Sequence, residues 1–461
     1  MSVLPTPETG FDLEVPILII GSGAAGMSAA LAVACSGADA FVIEADAVPQ
    51  GSTALSAGLI PAAGTKFQQA AGIEDDPEIF AADIQRKAKG ENPGELVDLL
   101  SKAAGPAIDW LSERYGLPFS VVTDFDYPGH SRRRMHGLPT RSGAELVDRL
   151  RSTCEAEGVD IICNRRAVTL FATRERITGV EVLGPDGPER IGCEVLILAC
   201  NGFGGNREMV NQHMPGIQDA LWFGHDGNKG DAIVWGNALG AETGHLSAYQ
   251  GHGNVAHPHG ILITWAVITE GGVQVNREGQ RFWNEAQGYS EAAREVLAQP
   301  GGEAFAVFDD RIAAVARQFQ DFKDAEAAGA IRTADTWKAL AALCDLPVET
   351  FSQTMASIPR GDTDAFGRTF GQTPLAPPFH AVKVTGALFH TQGGLCVDKN
   401  ARVKNTMGDV LPNLFAAGGA AMGVSGSGDS GYLSGNGLLS AVVLGAVSGS
   451  QAVIMTKGGE A

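Results

Sequence analysis

A chain of 461 residues exceeds the roughly 250–300 at which a single hydrophobic core stops growing, so two domains, or one domain with a large insertion, are expected. Its 44% hydrophobic and 19% charged residues exclude disorder, and a formal net charge of −19 excludes nucleic acid and anionic lipid as partners by repulsion. Seven cysteines without a C-x-x-C pair point to no metal, haem or iron–sulfur site, and their odd number fits a reducing compartment.

No basic start followed by an apolar run opens the chain, so a cytoplasmic protein without membrane insertion is expected. Residues 15–44, VPILIIGSGAAGMSAALAVACSGADAFVIE, read as strand, glycine turn, small-residue helix and a second strand ending in an acid. Gly21, Gly23 and Gly26 have the G-x-G-x-x-G spacing. The first permits the turn, the second lets backbone approach a pyrophosphate, and the third lets helix pack on strand. Ala24 and Ala25 open that helix, and Glu44, followed by Ala45, stands where an acid binds a ribose hydroxyl. Together these predict dinucleotide binding.

Three later segments select FAD over NAD. GSTALSAGLIPAAG, with Gly51, Ser52, Thr53, Ser56, Ala57 and Gly58, is a small-residue loop suited to run beside a ribityl chain and flavin ring. EVLILACNGFGGN is an apolar strand ending in Cys200, Asn201 and Gly202. NLFAAGGAAMGVSGSGDSGYLSGNGLLSA carries Gly418 and Gly419, then a helix start at Asn436, Leu438 and Leu439 whose N-terminus suits charge on the flavin pyrimidine. The late run LLSAVVLGAVSGSQAVI is interrupted by serines and glycines and reads as a buried helix. Between the segments, EAFAVFDDRIAAVARQFQ and its continuation read as a strand followed by amphipathic helices, with a cap at Thr333 or Asp335.

These four segments, in this order and over nearly the whole chain, resemble the flavoprotein subunit family of fumarate reductase and succinate dehydrogenase, which includes the 3-ketosteroid dehydrogenases. The resemblance implies an α/β fold (α+β overall), a Rossmann-type FAD-binding domain at 1–254 and 381–461 with an inserted α+β capping domain at 255–380. It places Val168 against adenine through its backbone and matches Asp231 in GNKGDAI to a G-D-G-like motif. Members that attach FAD covalently use a histidine in the loop after the second strand; Ser52 and Thr53 stand there in this chain, so dissociable FAD is expected.

The family's fumarate reducers use two arginines on a dicarboxylate, and this chain departs at both. In VNREGQRFWNEAQGYSEAA the arginine's position holds Tyr289, and in SGYLSGN, against A-N-R-L-G-G-N, it holds Tyr432. A bidentate carboxylate clamp is thereby lost. Tyrosines there resemble the ketosteroid dehydrogenases, where one removes the proton next to a carbonyl and another helps hold its oxygen while the β-hydrogen leaves as hydride to flavin. The resemblance implies His390, in FHTQGG against H-T-M-G-G, near the substrate oxygen, and His252, or alternatively His257, as a second substrate histidine. Tyr127 and Tyr249 are further substrate-side candidates, and backbone N–H groups at Gly435 and Asn436 are candidate oxyanion donors. For the two tyrosines simple packing is the other reading. Arg132, Arg133, Arg134 and Arg141 read either as a solvated loop or as a guanidinium for a distant carboxylate.

The expected activity is α,β-dehydrogenation of a ketone, ketosteroid or smaller ring, with Tyr289 as base and Tyr432 and His390 at the oxygen. The alternatives are enoate or enone reduction, and a flavin subunit of an electron-transfer complex. The expected partners are a small-molecule substrate and an electron acceptor that the sequence does not identify.

Overall fold

The computed structural model describes residues 1–124 and 126–458, which form two compact units. One comprises Met1–His213, Gly224–Tyr249 and His390–Ala461, the other Met214–Phe223 and Gln250–Phe389. The boundaries read from sequence were 254/255 and 380/381. The chain instead changes unit within two continuous strands, Tyr249–Ala256 and Phe379–Thr391, and the second unit also takes in 214–223 because Leu221–Trp222 pairs in parallel with Ala387–Leu388.

The first unit is built on a nine-stranded sheet. Leu13–Ile20 lies at its centre, parallel to Ala40–Ile43 on one side and to Gly187–Leu198 on the other, and Val410–Ala416 adds in parallel to the latter. Ile17 to Ile20 are all buried, as expected of a parallel strand covered on both faces. The helix Ala24–Cys35 is nearly all small residues, and ten of its twelve are buried. Against it packs the C-terminal helix Asn436–Thr456, at a distance only glycine allows: a Cβ on Gly445 would lie 2.3 Å from the Ala25 carbonyl oxygen, and one on Gly449 2.2 Å from that of Ala29. Leu439, Val442, Val443 and Leu444 are buried there, each worth roughly 1.5–3 kcal/mol. By length and composition this helix alone among the described residues resembles a membrane span, but 61% of its apolar window is buried inside the protein.

In the second unit the strand Glu303–Asp309 is buried along its whole length. Ala304, Ala306 and Phe308 enter one hydrophobic cluster and Phe305 and Val307 another, so alternate side chains feed cores on the two faces of the sheet. Helices Asp310–Ala316 and Gln320–Ala327 contribute to the first cluster, and Trp337–Leu343 and Val348–Ala356 to the second. The cap expected at Thr333 or Asp335 is Thr336, whose hydroxyl accepts from the Ala339 N–H at 3.2 Å. Residues 331–334 are not free to cap, because they pair with Phe379–Val382 as a strand.

Candidate active site and cofactor cradle

The glycine turn separates into residues that the protein itself explains and one that it explains less. Gly21 has φ +103°, and a Cβ there would sit 2.5 Å from the Ala199 carbonyl oxygen; at Gly26 it would sit 1.8 Å from that of Gly21. At Gly23, with an ordinary φ of −71°, a Cβ would meet only Thr53 Oγ1, at 3.3 Å. The protein alone crowds this position less than the other two, which suits close approach of a pyrophosphate. Gly23 caps the helix without a side-chain hydrogen bond, and the Ala24 N–H goes to Thr53 Oγ1 at 3.0 Å, so Ala25 and Gly26 stand in a first turn electrostatically suited to phosphate.

Glu44 preorganises this turn. One carboxylate oxygen accepts from Ser22 N (2.8 Å) and Ser22 Oγ (2.6 Å), the other from Asp46 N (2.9 Å), and a lone pair on the latter oxygen remains for a ribose. Ala45 beside it is exposed. Residues Gly51–Ala54 form a short helix rather than an open loop. Ser52 Oγ accepts from Asn228 Nδ2 at 2.8 Å, and Ser56 Oγ bonds the Thr53 carbonyl at 2.7 Å. Gly58, at φ +64°, abuts the Ser142 carbonyl, while Ala57 is exposed. Val168 is the extra residue of a β-bulge between Ala167 and Thr169, which releases its backbone groups from the ladder. Asp231 opens a helix and pairs with Arg166 at 3.1 Å, and burial raises its carboxyl above the ordinary value.

At the other end of the cradle, Asn201 adopts φ +64° and its Oδ1 accepts from the Gly202 N–H at 2.8 Å. A Cβ on Gly202 would overlap Thr391 Oγ1 (1.9 Å), and one on Gly419 would overlap Asn201 Oδ1 (2.2 Å). Gly418, at φ +59°, approaches the Ala25 Cβ. Burial pushes the Cys200 thiol up to about 12, which disfavours the thiolate that redox chemistry needs. Gly435, at φ +85°, caps the C-terminal helix without a side-chain bond, leaving the positive end of a 21-residue helix open; Leu438 is half-buried and Leu439 buried in its first turn.

Of the candidate chemical residues, the first unit holds His390, Tyr432, Tyr249, Tyr127, Gly435 and Asn436, and the second holds Tyr289 and His252. His390 is half-buried, and its Nδ1 lies 2.8 Å from Gln392 Nε2. Tyr432 is buried, just past a short 3-10 turn at Asp429–Gly431. The Tyr249 hydroxyl donates to Asp429 Oδ2 at 3.3 Å. Tyr127 is half-buried, with its phenol pushed up by desolvation. The Asn436 N–H, expected as an oxyanion donor, is donated to the Leu433 carbonyl at 3.0 Å, and its side chain is buried against Val424 and Ser425. Its side-chain oxygen is buried and has no hydrogen-bond partner among the described residues.

In the second unit Tyr289 begins the helix Tyr289–Leu297 and stacks on His252, with ring centroids 4.9 Å apart and planes at 19°. Trp265 meets both rings edge-on and Phe389 stacks on His252. The Asn254 N–H donates to His252 Nδ1 at 3.1 Å, which fixes the proton on Nε2, and burial holds the ring neutral, at about 3. His257 instead pairs with Glu303 at 3.2 Å.

Within the arginine run, Arg134 is committed to the fold, and the others bond to neighbouring acids and carbonyls nearer the surface. Arg134 is fully buried, with two 2.9 Å bonds to Asp75 and one of 2.5 Å to Asp83. Arg133 pairs with Asp126 at 2.8 Å, Arg141 with Asp124 at 2.6 Å, and Arg132 bonds the Glu74 carbonyl at 3.1 Å. Sequence reasoning missed Gln392, Ser425, Asn228 and Arg166. The last three act through partners distant in the chain, and Gln392 was signalled only by its departure from methionine in the motif beside His390.

The cradle fits FAD in its own terms: a helix start without a side-chain cap beside a glycine, an acid with a lone pair to spare, a bulge with freed backbone, and a second open helix end. The family model described as an FAD binding domain matches residues 16–438. "Probable fumarate reductase Ifc3" of Shewanella frigidimarina is 30% identical over 449 residues, covering 95% of this chain and 74% of that one. The open conformation of a flavocytochrome c3 fumarate reductase superposes with a TM-score of 0.82 at 28% identity, over 97% of this chain and 79% of its own. The 3-ketosteroid-Δ4-(5α)-dehydrogenase of Rhodococcus jostii RHA1 shares the fold, with a TM-score of 0.75 at 23% identity, over 97% and 99%. The chain belongs to the FAD-binding flavoprotein family that includes fumarate reductases and 3-ketosteroid dehydrogenases, and is an FAD-dependent oxidoreductase acting on CH–CH bonds.

Proposed function

We propose that this enzyme desaturates the α,β carbon–carbon bond of a neutral ketone, a ketosteroid or a smaller ring. The observation that carries the reading is that tyrosine stands at both positions where the fumarate reducers carry an arginine. Tyrosines stand at 289 and 432, and the arginines of the 132–141 loop are bonded to the protein's own carboxylates and carbonyls. A dicarboxylate needs charge-assisted, bidentate partners, whereas a ketone needs only neutral donors. His252, with its proton held on Nε2, is such a donor.

FAD supplies the two-electron acceptor when bound, and it is held reversibly, since the loop after the second strand offers no histidine for covalent attachment. Tyr289 takes the proton from the carbon next to the carbonyl. Tyr432 and His390 hold the carbonyl oxygen as charge develops on it, with His252, Tyr127 and Tyr249 as further substrate-side groups. A free tyrosine titrates near 10, so the hydroxyl of Tyr289 functions as a base only where neighbouring donors favour its ionised form. The reverse reaction, reduction of an unsaturated acid or ketone, is the second reading, favoured by the fumarate reductases among the relatives. The free electron acceptor is a small molecule or a redox partner, and the cysteine count suits a cytoplasmic setting.

Steady-state assays with an artificial electron acceptor test this against saturated steroid and small-ring ketones, with succinate as control. Turnover of a ketone, reduced at least 100-fold by Tyr289→Phe, is the expected result. Turnover of succinate alone, or an undiminished Tyr289→Phe enzyme, contradicts it.

A further inference from the structure

A directed chain of hydrogen bonds ends on His390. The Val424 carbonyl accepts from Asn436 Nδ2 at 3.1 Å and from Asn92 Nδ2 at 3.0 Å. A carbonyl only accepts, so the Asn436 amide nitrogen must face it. The same nitrogen lies 3.2 Å from Ser425 Oγ and donates to it. Ser425 then has one proton to give, and Gln392 Oε1 receives it at 2.9 Å. That orients Gln392 with Nε2 toward His390 Nδ1, at 2.8 Å. In the opposite amide orientation both amides donate to Ser425 Oγ, and the serine proton loses its acceptor at Gln392. Gln392 is itself pinned by its backbone, donating to the Ala248 carbonyl at 2.8 Å and accepting from the Gly423 N–H at 2.9 Å. All members are buried except His390, whose Nε2 edge adjoins Gly419, which carries no side chain there.

We propose that Gln392, oriented by Ser425 and Asn436, is a positioning residue that locks His390 in the tautomer with its proton on Nε2, so that His390 meets substrate only as a hydrogen-bond donor and never as a base. The chain favours this, because an Nδ1 that accepts from an amide cannot carry the proton. The consequence for chemistry rests on the proposed placement of His390 at a carbonyl oxygen. A fixed donor stabilises developing negative charge without reorganising, and leaves proton abstraction to another group. Gln392 stands where the family motif has methionine, which matches glutamine in length but cannot donate.

The test is nitrogen NMR of the FAD-loaded protein at neutral pH, labelled in its histidines, with His390 assigned by its disappearance in His390→Asn. The expected wild-type spectrum shows a pyrrole-like Nε2 and a pyridine-like Nδ1. Gln392→Met and Ser425→Ala should each give a tautomer mixture. Gln392→Glu, which places an acceptor against Nδ1, should move the proton there and lower kcat at least tenfold with a smaller change in KM. A protonated Nδ1 in the wild type, or the wild-type pattern unchanged in both Gln392→Met and Gln392→Glu, overturns the proposal. These readings need no substrate: if the tautomer is as stated and His390→Asn turns over normally, the lock stands and only the assignment of His390 to the substrate oxygen fails.

Discussion

Replacing Gly23 by alanine separates cofactor space from folding space. In the protein alone the new methyl meets only Thr53 Oγ1, at 3.3 Å, and the backbone there, φ −71° and ψ −172°, is open to any residue. Losing glycine at the helix cap costs up to about 1 kcal/mol, and the stiffer unfolded chain returns about 0.4–1 kcal/mol, so stability should be unchanged within about 1 kcal/mol. With FAD bound the methyl occupies the path of the pyrophosphate. An overpacking cost of about 1–3 kcal/mol corresponds to a Kd weakened roughly 5- to 150-fold. Gly26→Ala is the contrasting control: its Cβ would lie 1.8 Å from the Gly21 carbonyl oxygen, so the fold itself must give way. Urea unfolding of the apo-protein and fluorescence titration with FAD read the two quantities apart. Wild-type affinity in Gly23→Ala, or a loss of apo-protein stability equal to that of Gly26→Ala, would refute the assignment of this turn.

Three other outcomes are expected. Arg134→Met leaves Asp75 buried without its cation and Asp83 with only Arg86, and should destabilise the first unit by about 3–5 kcal/mol in urea titration; a loss under about 1 kcal/mol contradicts the structural role given to this arginine. Asn228→Ala removes the bond to Ser52 and should speed release of FAD several-fold, measured by recovery of flavin fluorescence on dilution, with an unchanged rate as the contrary result. Burial holds His130, His136 and His390 down at about 4 and His252 at about 3, against an ordinary 6.5. The unfolded chain therefore takes up protons first as pH falls, so stability is full above pH 6.5 and declines progressively toward pH 4; a urea midpoint constant from pH 7 to 5 contradicts this.

The nucleotide half of the site was legible because its chemistry is local. Gly21, Gly23, Gly26 and Glu44 lie within one strand–helix–strand unit, and spacing alone gives each a physical task. The interrupted run after Leu438 was likewise legible as a core helix, since Gly445 and Gly449 suit contact with a second helix rather than lipid. What sequence could not convey was pairing across distance. Arg134 sits in a basic run that looks solvated, and only the fold brings Asp75 and Asp83 to it. The bulge at Val168 depends on register with a neighbouring strand. Thr336 caps its helix because the preceding residues are claimed by strand pairing, a tertiary preference that outweighs local capping signals. The chain from Val424 to His390 draws on segments 33 residues apart, and Asn436 belongs to it as well as to the helix start read from sequence.

The central claim, that a ketone and not a dicarboxylate is the substrate, is met most directly by anaerobic mixing of the FAD-loaded protein with saturated ring ketones, steroid and small, with succinate as control, while the visible flavin band is followed. Bleaching by a ketone and not by succinate is the predicted result. Failure of every ketone to bleach it, with pre-reduced protein reoxidised by fumarate, would contradict the account and establish the reductase in its place.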